Sequence, residues 1–248
     1  MNEFRAIHAL WKRETLRFVR DRLRISSSIV SPALWLIIFG TGLGYSINSF
    51  NYQRFLLPGI VSQTMLFTSM YLAISVIWDR QFGFMKEMLI APVGRVSVFL
   101  GKMLGIGTNV MLQGFIVIIL GIIIGIPLSL YTVGLSLFVM IFITAGLVSI
   151  GLIIASAMNT LESFGAIVTF INMPMFFLSG ALFPVTNIPS WLLWAVYINP
   201  LTYCVDALRS IMVTGWQSIL PLGYDIAIIV TFDLVMIVLG TYMFNRMQ

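Results

Sequence analysis

Charged residues are unusually scarce in this sequence. Only 9% of its 248 residues are Asp, Glu, Lys or Arg, whereas 59% are hydrophobic. A soluble domain contains about 25% charged and about 45–50% apolar residues. So few charges cannot cover the water-exposed surface of a chain this long, and disordered chains are much less apolar. The composition therefore excludes a soluble globular protein and a disordered one, and it indicates an integral membrane protein.

Cysteine and histidine are nearly absent, with one residue of each, Cys204 and His8. A single cysteine excludes a disulfide within the chain and a cysteine-based metal cluster. His8 lies in a charged segment and has no second histidine or carboxylate cluster at ligand spacing. We therefore expect no metal site and no cofactor in this chain.

Catalytic motifs are also missing. The nearest approach to a phosphate-binding loop, Gly94–Met103, has the wrong glycine spacing and carries Met103 where a hydroxyl is needed. Intramembrane proteases need a Ser–His pair, facing aspartates or a zinc motif, but His8 precedes every apolar run. Asp225 and Asp233 share one run and would lie about 12 Å apart along a helix, too far for a dyad. We therefore expect no catalytic residues and no enzyme activity.

Long apolar runs dominate the rest of the chain. Each is close to or above the roughly 20 residues that a spanning helix needs, which predicts an all-α integral membrane protein with six transmembrane helices. The first run follows seven basic residues and has no cleavage site, so we expect no cleaved signal peptide. The predicted spans are about 28–48, 57–78, 104–126, 133–157, 164–183 and 223–244.

The N-terminal segment 2–25 has the pattern of an amphipathic helix that lies along the membrane interface. Aromatic and aliphatic side chains form one stripe, and arginines form the opposite face, which suits contact with lipid headgroups. Glu14 interrupts the pattern, and the alternative is a solvated helix that leads into the first span. The stripe comprises Phe4, Ile7, Trp11, Phe18 and Ile25, and the basic face comprises Arg13, Arg17, Arg20 and Arg24.

The segment 184–222 combines four prolines with apolar and aromatic residues. It is too apolar for an ordinary loop and too broken by proline for a regular span. This combination predicts a re-entrant helical hairpin, which dips into the membrane and returns.

Basic residues are distributed unequally between the two sides of the predicted topology. Twelve of the 14 lysines and arginines fall on one side, which places both termini in the cytoplasm and requires an even number of spans. The same bias accounts for the net charge of +5 without a nucleic-acid partner.

Three smaller patterns concern contacts between helices. Glycine pairs at i and i+4, such as Gly101 and Gly105, predict close helix packing. Asn159 and Glu162 predict a capping box at the start of the fifth span. Asp233 lies near the middle of the last span, where an unpaired charge is costly. It either faces a substrate path or proton relay, or it forms a hydrogen bond that joins two helices.

Two segments resemble the permease subunits of ABC-2 type exporters, especially the drug-resistance (daunorubicin-type) and nodulation-factor branches. One is the loop Asp79–Arg95, and the other runs from Phe177–Pro184 through Ile188–Leu192 and Asn199–Tyr203 to Asp206–Arg209. The resemblance extends over essentially the whole chain in length, span number and span order. It implies a single transmembrane domain, 1–248, in the cell membrane.

The resemblance also implies partners and site residues. ATP and Mg²⁺ would bind separate ATP-binding cassette ATPase subunits, and a second permease copy or a sister permease would complete the pathway among the membrane lipids. Within the coupling loop 79–102, residues 79–95 would be the coupling helix, with a lipid-facing interfacial helix as the alternative. The outer segment would form a gate or a structural lid. The implied coupling residues are Asp79, Arg80, Phe82, Gly83, Phe84, Lys86, Glu87, Leu89 and Pro92. The implied outer residues are Gly180, Phe183, Pro184, Pro189, Trp191, Asn199, Pro200, Tyr203, Asp206 and Arg209.

The sequence therefore favours the permease subunit of an ATP-driven exporter, which moves an amphipathic, drug-like, lipid or lipid-linked substrate outward by alternating access. Two other classes stay open. One is a self-contained secondary transporter or channel that uses Asp233, and the other is a membrane scaffold that transports nothing.

Overall fold

The described part of the chain is helical and contains no β-strand. The computed structural model describes residues 3–21, 29–42, 52–84, 93–185 and 189–246. Its helices are α1 Glu3–Arg20, α2 Ile29–Gly42, α3 Tyr52–Ala73, α4 Ser75–Gln81, α5 Arg95–Ile123, α6 Leu130–Ala157, α7 Leu161–Phe177, α8 Ser190–Ile198, α9 Pro200–Met212 and α10 Leu222–Arg246.

Four of the helical stretches are long and apolar enough to cross a membrane. They are α3 together with α4 (30 residues), α5 (29), α6 (28) and α10 (25). At about 1.5 Å per residue, each exceeds the roughly 30 Å hydrocarbon core. The other two predicted spans, 28–48 and 164–183, contain the shorter apolar helices α2 and α7. Six spans therefore stay a prediction, and so does the position of the two termini.

The predicted coupling loop 79–102 is too long at both ends. Helix α4 continues to Gln81, and α5 begins at Arg95. The apolar pattern placed the start of the third span near residue 104 because Arg95 and Lys102 are charged. In the fold, five of the six residues 97–102 are buried, so helix packing extends the helix through Lys102. Residues 85–92, which include Lys86, Glu87, Leu89 and Pro92, lie outside the described residues.

The predicted capping box at the start of α7 is wrong by one residue. Thr160 is the N-cap, and its hydroxyl accepts a hydrogen bond from the Ser163 amide at 3.3 Å. Asn159 accepts a hydrogen bond from Arg80 instead, at 2.9 Å. A hydroxyl one position closer to the helix takes the capping role, which leaves the Asn159 amide for a contact with another helix.

Helix α3 lies at the centre of the fold and packs against α5, α6 and α9. Most of its surface is buried, including Leu56, Leu57 and Ile60, so it is surrounded by protein on nearly all sides. Helix α1 lies along α5, and α10 lies along α6. Helices α8 and α9 have nine and 13 residues and are too short to span a bilayer.

Glycines mark the closest approaches between elements. A Cβ atom at Gly101 would lie 2.8 Å from Leu10 Cβ, and one at Gly105 would lie 2.6 Å from Glu14 Cβ. The predicted packing role of this glycine pair is thus confirmed, with α1 as the neighbour. At Gly59, α3 meets a rigid backbone, because a Cβ there would lie 2.5 Å from the carbonyl oxygen of Ala181.

We predict that Gly59→Ala lowers stability by about 1–3 kcal/mol, since the added methyl group overpacks a backbone contact that cannot rotate away. Thermal unfolding of the purified protein in detergent measures this effect. Gly134→Ala on α6 is the matched control, because no atom lies within 4 Å of its Cβ position. Equal melting temperatures for the two variants would contradict the packing argument.

Candidate functional site

A buried ion cluster joins three helices at one end of the bundle. Lys102 on α5 lies with its ammonium 2.5 Å from Asp79 Oδ2 on α4 and 3.4 Å from Glu14 Oε1 on α1. The Ser75 hydroxyl is 3.5 Å from the same nitrogen. Lys102 and Asp79 are fully buried, and Glu14 is nearly so. One lysine therefore ties together segments that are far apart in sequence.

Two arginines connect this cluster to the surface. Arg13 pairs with Asp79, and Arg17 approaches the same carboxylate oxygen at 4.0 Å. Both arginine side chains are about one-third exposed. The cluster explains why Glu14 interrupts the amphipathic pattern of α1: its carboxylate is the partner of a buried cation. Removing Lys102 would leave the buried Glu14 carboxylate without its cation and would leave Asp79 with only the partly exposed arginines.

Further contacts hold α1 along α5. The indole nitrogen of Trp11 donates to Thr108 at 2.9 Å, and Asn109 donates to the Glu14 carbonyl at 3.4 Å. At the start of α1, hydrogen bonds from the Ser97 side chain and the Gly94 amide lower the pKa of Glu3. Helix α1 thus contacts the protein along its length.

The apolar stripe predicted for α1 is divided between two environments. Phe18 is buried, whereas Phe4 is 80% exposed. The interfacial position of this helix in the membrane stays a prediction.

The predicted coupling residues separate into two groups. Asp79 belongs to the ion cluster, and Arg80 donates to the carbonyls of Ser156 and Met158 at 2.8 and 2.9 Å. Arg80 therefore holds the end of α4 against α6, and Asp79 holds it against α1 and α5. The aromatic rings of Phe82 and Phe84 are 72% and 46% exposed. Gly83 between them has a φ of 81°, which glycine adopts without strain.

Arg209 organises the end of the bundle that contains the predicted outer motif. Its guanidinium donates to the carbonyls of Gly180 and Ala181 at 2.9 and 3.3 Å, and it lies 3.8 Å from the Phe55 ring centroid. Asp206 accepts hydrogen bonds from the amides of residues 219 and 220 instead. Asp206 and Arg209, at i and i+3 on one helix, are spaced to pair with each other, but in the fold each side chain forms hydrogen bonds with backbone groups.

The predicted outer motif forms a tight corner between α8 and α9. The Asn199 side chain accepts from the Leu201 amide and donates to the Met175 carbonyl, while Pro200 occupies the first helical position. Tyr203 donates to the Tyr197 carbonyl at 2.7 Å. Among the other predicted outer residues, Trp191 is 72% exposed and Phe183 is 42% exposed. Pro184 and Pro189 flank residues 186–188, which are not described.

Asp233 is buried where α10 crosses α6. A Cβ at Gly146 would collide with its carboxylate, so this glycine makes room for the acid. Pro200 and Cys204 of α9 lie on the other side. Oxygen Oδ1 of Asp233 has no hydrogen-bond partner among the described residues, and neither has either carboxylate oxygen of Asp225. The structure thus places Asp233 in a closely packed helix contact.

A large cavity lies elsewhere, between α2, α3, α5 and α7, and measures about 960 Å³. We call it the lateral cavity. Its lining includes the aromatic residues Trp35, Phe67, Tyr71 and Phe176 and the amides of Gln63, Gln113 and Asn172. Sequence reasoning missed these amides. The sequence feature that could have identified them is the one that identified Asp233: a polar side chain inside an apolar run.

The described residues contain no group of three or more His, Cys, Asp or Glu side chains that could hold a metal ion. Cys204 is a buried free thiol.

Comparison with known proteins gives a consistent result. The family model described as ABC-2 type transporter matches residues 5–213. The putative transport permease ycf38 of Cyanophora paradoxa is 29% identical over 92% of this chain and 85% of its own length. The probable multidrug ABC transporter permease YbhR of Escherichia coli (strain K12) is 28% identical over 69% of this chain and 49% of its own length. The inner membrane transport permease YadH of the same strain is 23% identical over 94% and 89%.

We predict that Lys102→Met destabilises the protein by about 3–5 kcal/mol, because Asp79 and Glu14 become buried charges without their common cation. Thermal unfolding in detergent and protease sensitivity of α1 both measure the loss. Lys12→Met, on the exposed side of α1, is the matched control and should change neither. Adding Asp79→Leu to Lys102→Met should restore part of the stability, and no recovery would argue against the pairing.

Proposed function

Since the chain belongs to the ABC-2 type transporter family, we propose that it is the permease subunit of an ATP-binding cassette exporter that moves an amphipathic, drug-like, lipid or lipid-linked substrate outward. The family match over residues 5–213 carries this proposal. It confirms the family predicted from the sequence motifs and supports a multi-pass membrane permease of an ABC transporter. The outward direction, the cell membrane location, the separate ATPase subunit and the alternating-access mechanism are the proposed part.

One interrupted helix supports the mechanism. Helix α3 carries the cavity residues Gln63 and Tyr71, and after a break at Ile74 the chain continues as α4 with Asp79. The exposed ring of Phe82 follows directly. A displacement of Phe82 would therefore be transmitted to the lateral cavity along α4 and α3. The ion cluster fixes α4 to α1 and α5.

In this proposal, residues 82–84 form the contact with the ATPase subunit. Exposed aromatic rings are frequent anchors in protein interfaces, and nearby charges select the partner. The Arg13 guanidinium lies 5.6 Å from the Phe84 ring centroid and supplies such a charge. Asp79 and Arg80 act as positioning residues, because their side chains hold α4 in place. ATP and Mg²⁺ would bind the partner subunit.

A second permease copy, or a sister permease, would complete the pathway. Helices α2 and α7 line the lateral cavity on one side of the central helix α3. The cavity opens onto the surface of the protein. An opposed copy would enclose it. The corner built by Asn199 and Arg209 would form the outer gate, since it anchors α8 and α9 to the end of α7.

Asp233, with Asp225 on the same helix, is the sequence feature that supports a self-contained secondary transporter. It does not line the lateral cavity, and it packs over Gly146 between α6 and α10. This position favours a role in joining helices over a role in a proton relay. A scaffold without transport activity would need no cavity of this size.

We expect the full-length chain, purified in detergent, to carry an ATPase subunit encoded next to it, and the assembly to hydrolyse ATP. Asp233→Asn should preserve at least about half of the hydrolysis rate, because a neutral amide fits a helix contact as well as an acid does. ATP hydrolysis and subunit stoichiometry are the measurements. An assembly without any ATPase, or gradient-driven transport that Asp233→Asn abolishes, would contradict the proposal.

We expect Phe82→Ala to reduce the stimulation of the partner's ATPase at least about fivefold, as loss of an interface anchor of more than 1 kcal/mol would. Phe84→Ala should have a smaller effect because Phe84 is less exposed. Phe4→Ala is the control, since Phe4 is an exposed aromatic outside the coupling segment. Membrane insertion should be normal in all three. Normal stimulation in both test variants would mean that the interface lies elsewhere.

A further inference from the structure

The surface of α1 carries a groove with a strongly positive lining, which we call the basic groove. It measures about 640 Å³ and opens onto the surface of the protein. Four of the described residues that line it are cationic and none is acidic. The lining comprises Ala9, Lys12, Arg13, Leu16, Arg17 and Arg20.

The fold holds two of these cations in place. The Arg13 guanidinium pairs with Asp79 and lies 5.6 Å from the Phe84 ring centroid. The Arg17 guanidinium lies 5.8 Å from the ring centroid of Trp78. Both arginine side chains are nevertheless about one-third exposed. The basic groove thus presents partly preorganised guanidinium groups, which reduces the entropy lost when a ligand binds.

The ion cluster does not neutralise the basic groove. Its two carboxylates are already shared with the buried Lys102 ammonium. Lys12 and Arg20 form no ion pair among the described residues. Asp21 follows Arg20 in sequence, but it lines the lateral cavity instead. Positive charge therefore remains for an anion from outside the chain.

The level of the basic groove along α5 fits the headgroup region of a membrane. Residues 104–123 of α5 carry no charged side chain, and at about 1.5 Å per residue they match the roughly 30 Å hydrocarbon core. Lys102 lies just before this stretch. Because Asp79 contacts both Lys102 and Arg13, the arginine lies at the same level as the lysine. Lipid phosphates would lie at the edge of the hydrocarbon core, within reach of these side chains.

The chemistry of an anionic phospholipid matches both parts of this surface. Guanidinium groups bind phosphate oxygens through paired hydrogen bonds. A zwitterionic headgroup brings a cation of its own, which the basic groove would repel. Leu16 in the groove is 42% exposed, and Val19, one turn along α1, is 54% exposed. Acyl chains would cover these apolar side chains, which a free phosphate ion would leave in water.

We propose that the basic groove binds the headgroup of an anionic phospholipid. Arg13 and Arg17 contact its phosphate, and Lys12 and Arg20 supply further positive charge. The bound lipid connects the bilayer to α1, the helix that the ion cluster ties to α4 and α5. This is a saturable site with a headgroup preference, which an amphipathic helix alone does not require. It depends on neither export nor an ATPase subunit.

Native mass spectrometry of the full-length chain in detergent tests this site. Phosphatidylglycerol and phosphatidylcholine with identical acyl chains are added separately over a concentration series. We expect a saturable phosphatidylglycerol adduct that forms at least about tenfold more tightly than the phosphatidylcholine adduct, because only phosphatidylglycerol lacks a cation in its headgroup. Equal binding of the two lipids would overturn the proposal.

Two matched double variants locate the site. Lys12→Gln with Arg20→Gln removes two groove cations that take no part in the ion cluster, so thermal unfolding without added lipid should be unchanged. Arg5→Gln with Arg246→Gln removes the same charge from exposed positions outside the groove. We expect phosphatidylglycerol binding to weaken at least about tenfold in the first variant and to be normal in the second. Normal binding in the first variant, or equal weakening in both, would overturn the basic groove as the site.

Two further measurements separate a lipid from other anions. Soluble glycerol phosphate at the lipid's concentration should not displace phosphatidylglycerol, because it has no acyl chain, and displacement would overturn the lipid assignment. Co-purification of an ATPase subunit is measured with the Lys12→Gln, Arg20→Gln variant. Loss of that subunit with unchanged lipid binding would assign the groove to a protein partner and overturn the proposal. Specific lipid binding in a chain that carries no ATPase would support the groove and contradict only the exporter proposal.

Discussion

The ion pairing of Lys102 is the interaction on which the arrangement of the bundle depends. A lysine taken out of water needs its charge compensated, and here the compensation comes from Asp79 and Glu14 on two other helices. The ammonium therefore fixes the position of α1 and α4 relative to α5. Glycines at 101 and 105 allow α1 to approach closely enough for Glu14 to reach the cluster. Charge compensation of Lys102 and close packing at the two glycines thus act together to fix α1 against α5.

Arginines satisfy helix ends on both sides of the protein. Arg80 donates to the last carbonyls of α6, and Arg209 donates to the carbonyls that follow α7. Helix termini leave carbonyls without intrahelical partners, and in a membrane protein water is not always available to replace them. Both arginines stood out in the sequence motifs. In the fold they join helices that are separated in sequence, whereas Phe82 and Phe84, just after Arg80, are exposed.

The sequence was informative where the signal is local. Apolar runs predicted the four long helices, because a run of about 20 apolar residues has few other stable locations. The sequence was less informative about where helices begin and end. The charge of Lys102 suggested a loop, although packing extends α5 through this residue. The Asn159 cap was off by one residue because the Thr160 hydroxyl caps the helix instead, accepting from the Ser163 amide. The lateral cavity was missed, since its amides come from three different helices.

The sequence by itself determined the class of protein and its family. Composition requires a membrane environment, and the order of the loop and outer motifs identified the ABC-2 type permeases. Only the tertiary structure decided which polar groups are satisfied. Lys102 is paired and Asn172 is not, because hydrogen-bond and ion-pair partners come from segments brought together by helix packing. The spacing of residues along the chain does not show which of them become partners. The polar groups that line the cavity could therefore be identified only from the fold.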